Sequence, residues 1–162
     1  MNEQILEAAL ELTARNMAIV LCGGDDGKNP NVSGDGWQNR KWTEQDIERE
    51  LTRHPSRTLG LIMGPRSGVI DLECDSPEAE STLLDLFDRE MPVTPTWKSK
   101  RGKHWLFKYD DRLEDIGKGH FAIGELDVKL GCDGKGTQCI APPSVAEGVT
   151  REWLPGLSLD DA

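Results

Sequence analysis

No run of the 162-residue sequence approaches a membrane span, for which about 18 or more consecutive apolar residues are needed. The opening MNEQILEAALEL holds neither a basic leader nor the continuous apolar stretch of a secretory signal. A cytoplasmic protein without membrane association is therefore expected. Cys22, Cys74, Cys132 and Cys139 show no CxxC spacing and no histidine at zinc-finger distance, which argues for reduced packing thiols. Positive charge is in deficit, with 19 Lys and Arg against 29 Asp and Glu and a formal net charge of -10. That balance is the opposite of a protein that coats polyanions. There is no internal repeat, no low-complexity tract and no GxxxxGK[ST] phosphate loop.

What is present describes a globular chain, 36% hydrophobic with five Trp, of a size for one domain over residues 1–162. Residues 3–15 place Ile5, Leu6, Ala9, Leu10 and Leu12 near helical spacing, and MAIVLC follows as a buried strand. GGDDGKNPNVSGDGW is a long polar loop, the kind that is often functional. Thr43, with Asp46 three residues on, opens a second helix to about Arg53. TLGLIM, the turn GPRSG and the strand VIDLEC come next. Ser76 and Pro77 then suit an N-cap and a first helical position, before Ala79, Leu83, Leu84, Leu86 and Phe87 on one helix side. TPTWKSK and HWLFKY make a hairpin, ELDVKL a further strand, GCDGKG a turn and TQCIA a returning strand. The pattern is α+β, helices packed on a sheet.

Alternation exposes a face. In VIDLECD the acids Asp71, Glu73 and Asp75 fall at every second position, and in a strand such residues point the same way. His104 shares a side with Leu106 and Lys108, opposite Trp105, Phe107 and Tyr109, and Asp127 shares one with Lys129, opposite Leu126 and Val128. In a single sheet these three strands would offer ionisable groups to one side and apolar groups to the other. Clustered acids repel, so basic neighbours, water or metal ions must neutralise them. Hard cations such as Mg2+ or Mn2+ favour carboxylate oxygens, and a two-metal site of Asp71, Glu73 and Asp127 would suit phosphoryl transfer. Lys98, Lys100, Arg101, Lys103 and Lys108 have only uncharged residues between them. They would serve phosphate, or form a merely solvated hairpin.

Several segments together resemble the N-terminal primase/polymerase (prim-pol) domain of bifunctional DNA primase-polymerases, in the archaeo-eukaryotic primase superfamily. They are GKNP, Gly36-Trp37, TEQDIE, GLIMGPRSGVIDLE, SKRGKHWLF, ELDVKLGCDGKG and IAPPS, in that order over nearly the whole chain. The superfamily's DxE, His and apolar-Asp motifs correspond to Asp71-Leu72-Glu73, His104 and Leu126-Asp127; Lys103 stands before His104 where a small residue is usual. The resemblance implies an RRM-like antiparallel or mixed sheet with packed helices, joined to a small N-terminal α/β element. It makes Asp71, Glu73 and Asp127 ligands of two Mg2+ or Mn2+ ions, and His104 a catalytic contact to the incoming nucleotide. Arg101, Lys103, Lys129, Lys28 and Ser144 become further nucleotide-binding positions. The implied partners are a DNA template, nucleoside triphosphates and a helicase/ATPase domain or protein.

Plainer readings stand beside these. Asp75 suits the start of the following helix, Asp133 a turn, and His54 and His120 a surface or a cap. Lys28 and Pro30 shape a loop, and Pro142 and Pro143 end a strand. Two other function classes compete. One is an inert module binding single-stranded nucleic acid through its sheet, and the other is a metal-dependent nuclease using the same acids. The absence of an HxH pair among His54, His104 and His120 disfavours a histidine-paired nuclease. If the acids only repel one another, Asp71→Ala and Asp127→Ala are expected to abolish nucleotide incorporation and leave the fold nearly intact.

Overall fold

A computed structural model describes residues 1–162. Three α-helices and eleven strands follow in the order α1 (Glu3–Ala14), β1 (Ile19–Cys22), α2 (Glu44–Arg53), β2 (Thr58–Ile62), β3 (Val69–Cys74), α3 (Pro77–Leu86), β4 (Thr96–Lys98), β5 (Lys103–Lys108), β6 (His120–Ile123), β7 (Leu126–Lys129), β8 (Gln138–Ile140), β9 (Val145–Ala146), β10 (Val149–Thr150) and β11 (Glu152–Trp153). The fold is α+β with antiparallel sheets.

The helices begin where their caps require. Asn2 accepts from the Ile5 amide at the head of α1, Thr43 and Asp46 form a reciprocal capping box on α2, and Ser76 accepts from Ala79 before Pro77 enters α3. Each cap satisfies amides that have no partner inside the helix.

The strands divide into a six-stranded sheet in the order β11-β4-β5-β3-β7-β6, a three-stranded sheet β1-β2-β8 and a β9-β10 ribbon. The three strands with polar faces, β3, β5 and β7, are neighbours in the six-stranded sheet, and the three-stranded sheet is built mainly from the N-terminal part. The returning strand β8 leaves the acidic sheet and pairs with β2, Leu61 opposite Cys139. Its route depends on Gly131, at φ 63°, where a Cβ would lie 2.1 Å from the Met63 carbonyl oxygen. Only glycine allows the chain so near. Strand β6, with its HFAI sequence, is an element the apolar pattern does not announce, because three of its four residues are exposed.

The large sheet carries packed apolar residues on both faces. Leu72, Trp105, Leu126 and Val128 pack with Ala79 and Leu83 of α3 on one side. On the other, Trp97 and Leu106 join Leu61, Cys139 and the apolar sides of α1 and α2. The face that carries the acids is thus partly roofed by the small sheet, and the ionisable groups sit in the seam between the two. No helix is long and apolar enough to cross a membrane.

Candidate functional site

Strand register gathers the polar face. Glu73 lies opposite His104 on β5 and opposite Asp127 on β7, while Asp71 lies opposite Leu106 and Lys129. Directly opposed residues of antiparallel strands share a face, so Asp71, Glu73, His104, Asp127 and Lys129 all project to one side.

Their environments differ. Asp71 has no exposed surface. Its Oδ2 lies 2.8 Å from His104 Nδ1 and accepts from the Cys139 thiol at 2.9 Å. Its Oδ1 is buried without a partner. Because an ionised carboxylate only accepts, His104 donates from Nδ1. The imidazole is also stacked on Trp97, with centroids 4.7 Å apart, and its Nε2 stands 3.7 Å from Glu73 Oε1. Lys129 pairs directly with Glu73 and reaches within 3.6 Å of Cys139 Sγ. The neutralisation that the acid run demands is therefore internal at Asp71 and Glu73, supplied by His104 and Lys129. Asp127 is more open, its side chain 41% exposed and 3.2 Å from His120 Nε2.

Burial pushes the Asp71 carboxyl up, but the His104 charge and hydrogen bond, Lys129 and the Cys139 thiol outweigh it and hold the group below the ordinary carboxylate range. Burial works against the Lys129 charge, and Cys139, Asp71 and Glu73 together raise it above the usual ammonium value. Burial, then Asp71, lifts the Cys139 thiol well above its ordinary value, so at neutral pH it donates a proton rather than acting as a thiolate.

A cleft of ≈ 410 Å³ opens on this seam, lined by Glu73, His104, Lys129, Arg101, Lys28 and Cys139 among others. Arg101 is paired with Asp75 at 2.8 Å and Lys28 with Glu147 at 3.6 Å. Asp75 thus borders the cleft as well as preceding α3. Two expected nucleotide contacts lie elsewhere. Lys103 pairs with Glu80 of α3 at 3.0 Å, over the Trp105 ring on the far face, and Ser144 is fully buried, its hydroxyl accepting from the Leu59 amide at 2.8 Å.

Asp71, His104 and Cys139 each bring one donor atom to within 4.8 Å of the other two, making a compact mixed donor group. Cys139 is not evident from the sequence as a site residue, since it stands 68 positions from Asp71. His120 is equally hidden. Its placement opposite Lys129 depends on β6, and only the existence of that strand could signal it.

The family model for the N-terminal domain of bifunctional DNA primase/polymerase, Prim-Pol, matches residues 9–162. No curated protein gives a significant match.

Proposed function

The chain belongs to the family of bifunctional DNA primase/polymerase N-terminal domains, and on that premise we propose that its cleft carries out template-directed nucleotidyl transfer from nucleoside triphosphates. The observation that supports this best is the register that sets Glu73 between His104 and Asp127 with Asp71 on the same face.

Mg2+ or Mn2+ fits the residues present. The partnerless, buried Oδ1 of Asp71 and the carboxylates of Glu73 and Asp127 are the hard oxygen donors such ions take. Asp71, Glu73 and Asp127 would hold two of them. Bound there, such ions would supply activation of the attacking hydroxyl and neutralisation of the leaving pyrophosphate.

The remaining work belongs to the chain. Asp71 and the Trp97 stack fix the His104 ring, so that Nε2 is directed toward the Glu73 side, where an incoming phosphate would take its hydrogen bond. Arg101, Lys28 and Lys129 give the cleft positive charge against a triphosphate. Lys103 and Ser144 act at one remove, through α3 and through β2. The partners are a DNA template, a nucleoside triphosphate and a helicase/ATPase to open duplexes, in the cytoplasm.

Incorporation of labelled nucleotides on a template, with Mg2+ or Mn2+ and with or without primer, tests this against Asp127→Ala. Loss of incorporation in the variant supports the site. Equal incorporation by both proteins refutes it, and no incorporation by the natural sequence with either metal counts against the activity.

A further inference from the structure

Away from the acids, a second hollow of ≈ 800 Å³ is lined by Arg40, Lys41, Arg66, Asn16 and Trp42, with apolar residues and Thr13 behind them and no carboxylate in its wall. In a chain carrying a net charge of -10, three cations with no acidic neighbour are unexpected. None of the three makes an ion pair, whereas Lys28, Arg101, Lys103 and Lys129 all do.

The arrangement is held in place. Arg66 donates to the Gln38 and Arg40 carbonyls, and Arg40 donates to the Ser33 carbonyl at 3.0 Å while its guanidinium lies 3.6 Å over the Trp42 ring. The Trp42 indole N–H is buried with no acceptor, so it is the ring that Trp42 contributes beneath the Arg40 guanidinium. Lys41 is exposed and free. Arg66 also lines an adjoining groove with Gln38, Asn39 and the glycines Gly131, Gly134 and Gly136. That glycine loop leads directly into Gln138, which lines the catalytic cleft.

We propose that this hollow seats the phosphodiester backbone of a single-stranded nucleic acid and leads it along the glycine loop to the cleft. The inference rests on the reading that a strand is copied there. Phosphodiester is favoured over a nucleoside triphosphate by the wall itself, since a metal-complexed triphosphate would find no carboxylate to share its ion. Arg and Lys without competing acids are the groups that replace counterions on a polynucleotide.

The test is fluorescence anisotropy of a labelled oligothymidylate at increasing salt, in EDTA so that no transfer occurs, with Lys41→Glu and a Lys41→Ala/Arg66→Gln double variant. Arg53→Glu, an equal charge reversal at the far end of α2, is the control, and circular dichroism checks each fold. Lys41→Glu is expected to weaken binding about tenfold, and the double variant to flatten the log–log salt slope by about 0.7 for each phosphate it no longer neutralises. Binding of a metal-complexed nucleoside triphosphate should be unchanged. Equal oligonucleotide affinity in Lys41→Glu and the natural sequence, no binding by the natural sequence, or a matching loss of triphosphate affinity would overturn the proposal. A protein that binds through Lys41 yet incorporates nothing would sink the catalytic reading and leave the hollow standing.

Discussion

At the scale of the residue, Asp71 and Asp127 separate chemistry from support. Asp71 is the counter-charge to the His104 ring and the Lys129 ammonium in a fully buried setting. Removing one partner of such a buried pair costs about 3–5 kcal/mol, so the expectation that Asp71→Ala leaves the fold nearly intact is replaced. That variant should lose incorporation and unfold at a clearly lower temperature. Asp127→Ala should lose incorporation with a Tm within about 2 °C of the natural sequence, because that carboxylate is 41% exposed. Thermal melts beside incorporation assays distinguish the two, and equal Tm losses would contradict the assignment. The Asp71 carboxyl titrates lower folded than its ordinary value, so the unfolded chain takes up that proton first. Its stabilisation is complete above the unfolded value of about 3.9 and is lost as pH falls below it, through the folded one. Urea midpoints measured from pH 5 down to pH 3 should fall less steeply in Asp71→Asn.

At the scale of the element, strand alternation makes much of the site legible and also shows where a local pattern misleads. The period of two places Asp71 with Glu73 and Asp127 with Lys129, and the register then aligns them. The same period separates Lys103 from His104. Lys103 lies opposite Cys74, its face is that of α3, and its charge goes to Glu80. Ser144 lies away from the cleft because its segment turns inward to β2, a contact 85 positions away that no local pattern encodes. Cys139 is hidden for the same reason, and His120 because a four-residue exposed strand has no apolar rhythm. The β4–β5 hairpin that presents His104 depends on Gly102, where a Cβ would lie 1.7 Å from the Cys74 carbonyl oxygen. Gly102→Ala must push β3 from β5. It should cost about 1–3 kcal/mol, as overpacking does, and should weaken triphosphate binding by shifting His104. Denaturant titration and triphosphate affinity check both parts, and a variant unchanged in each would contradict this role.

At the scale of the whole molecule, the two sheets share one core. Trp97 and Leu106 from the large sheet pack with Leu61 and Cys139 from the small one, and the Trp97 indole donates to the Ile140 carbonyl at 3.0 Å. Neither sheet can expose its inner face without the other doing so. Calorimetry should therefore show one transition whose van't Hoff and calorimetric enthalpies agree, and two resolved transitions would contradict a shared core. The crossing of β8 from one sheet to the other has a further meaning for a chain growing on a ribosome. When residues 1–130 have been made, all the acids of the face exist, yet β2 still lacks its second neighbour and Asp71 its thiol donor. The stretch holding Cys139 closes both in one step, so a nascent chain cannot acquire the cleft until β8 has been made.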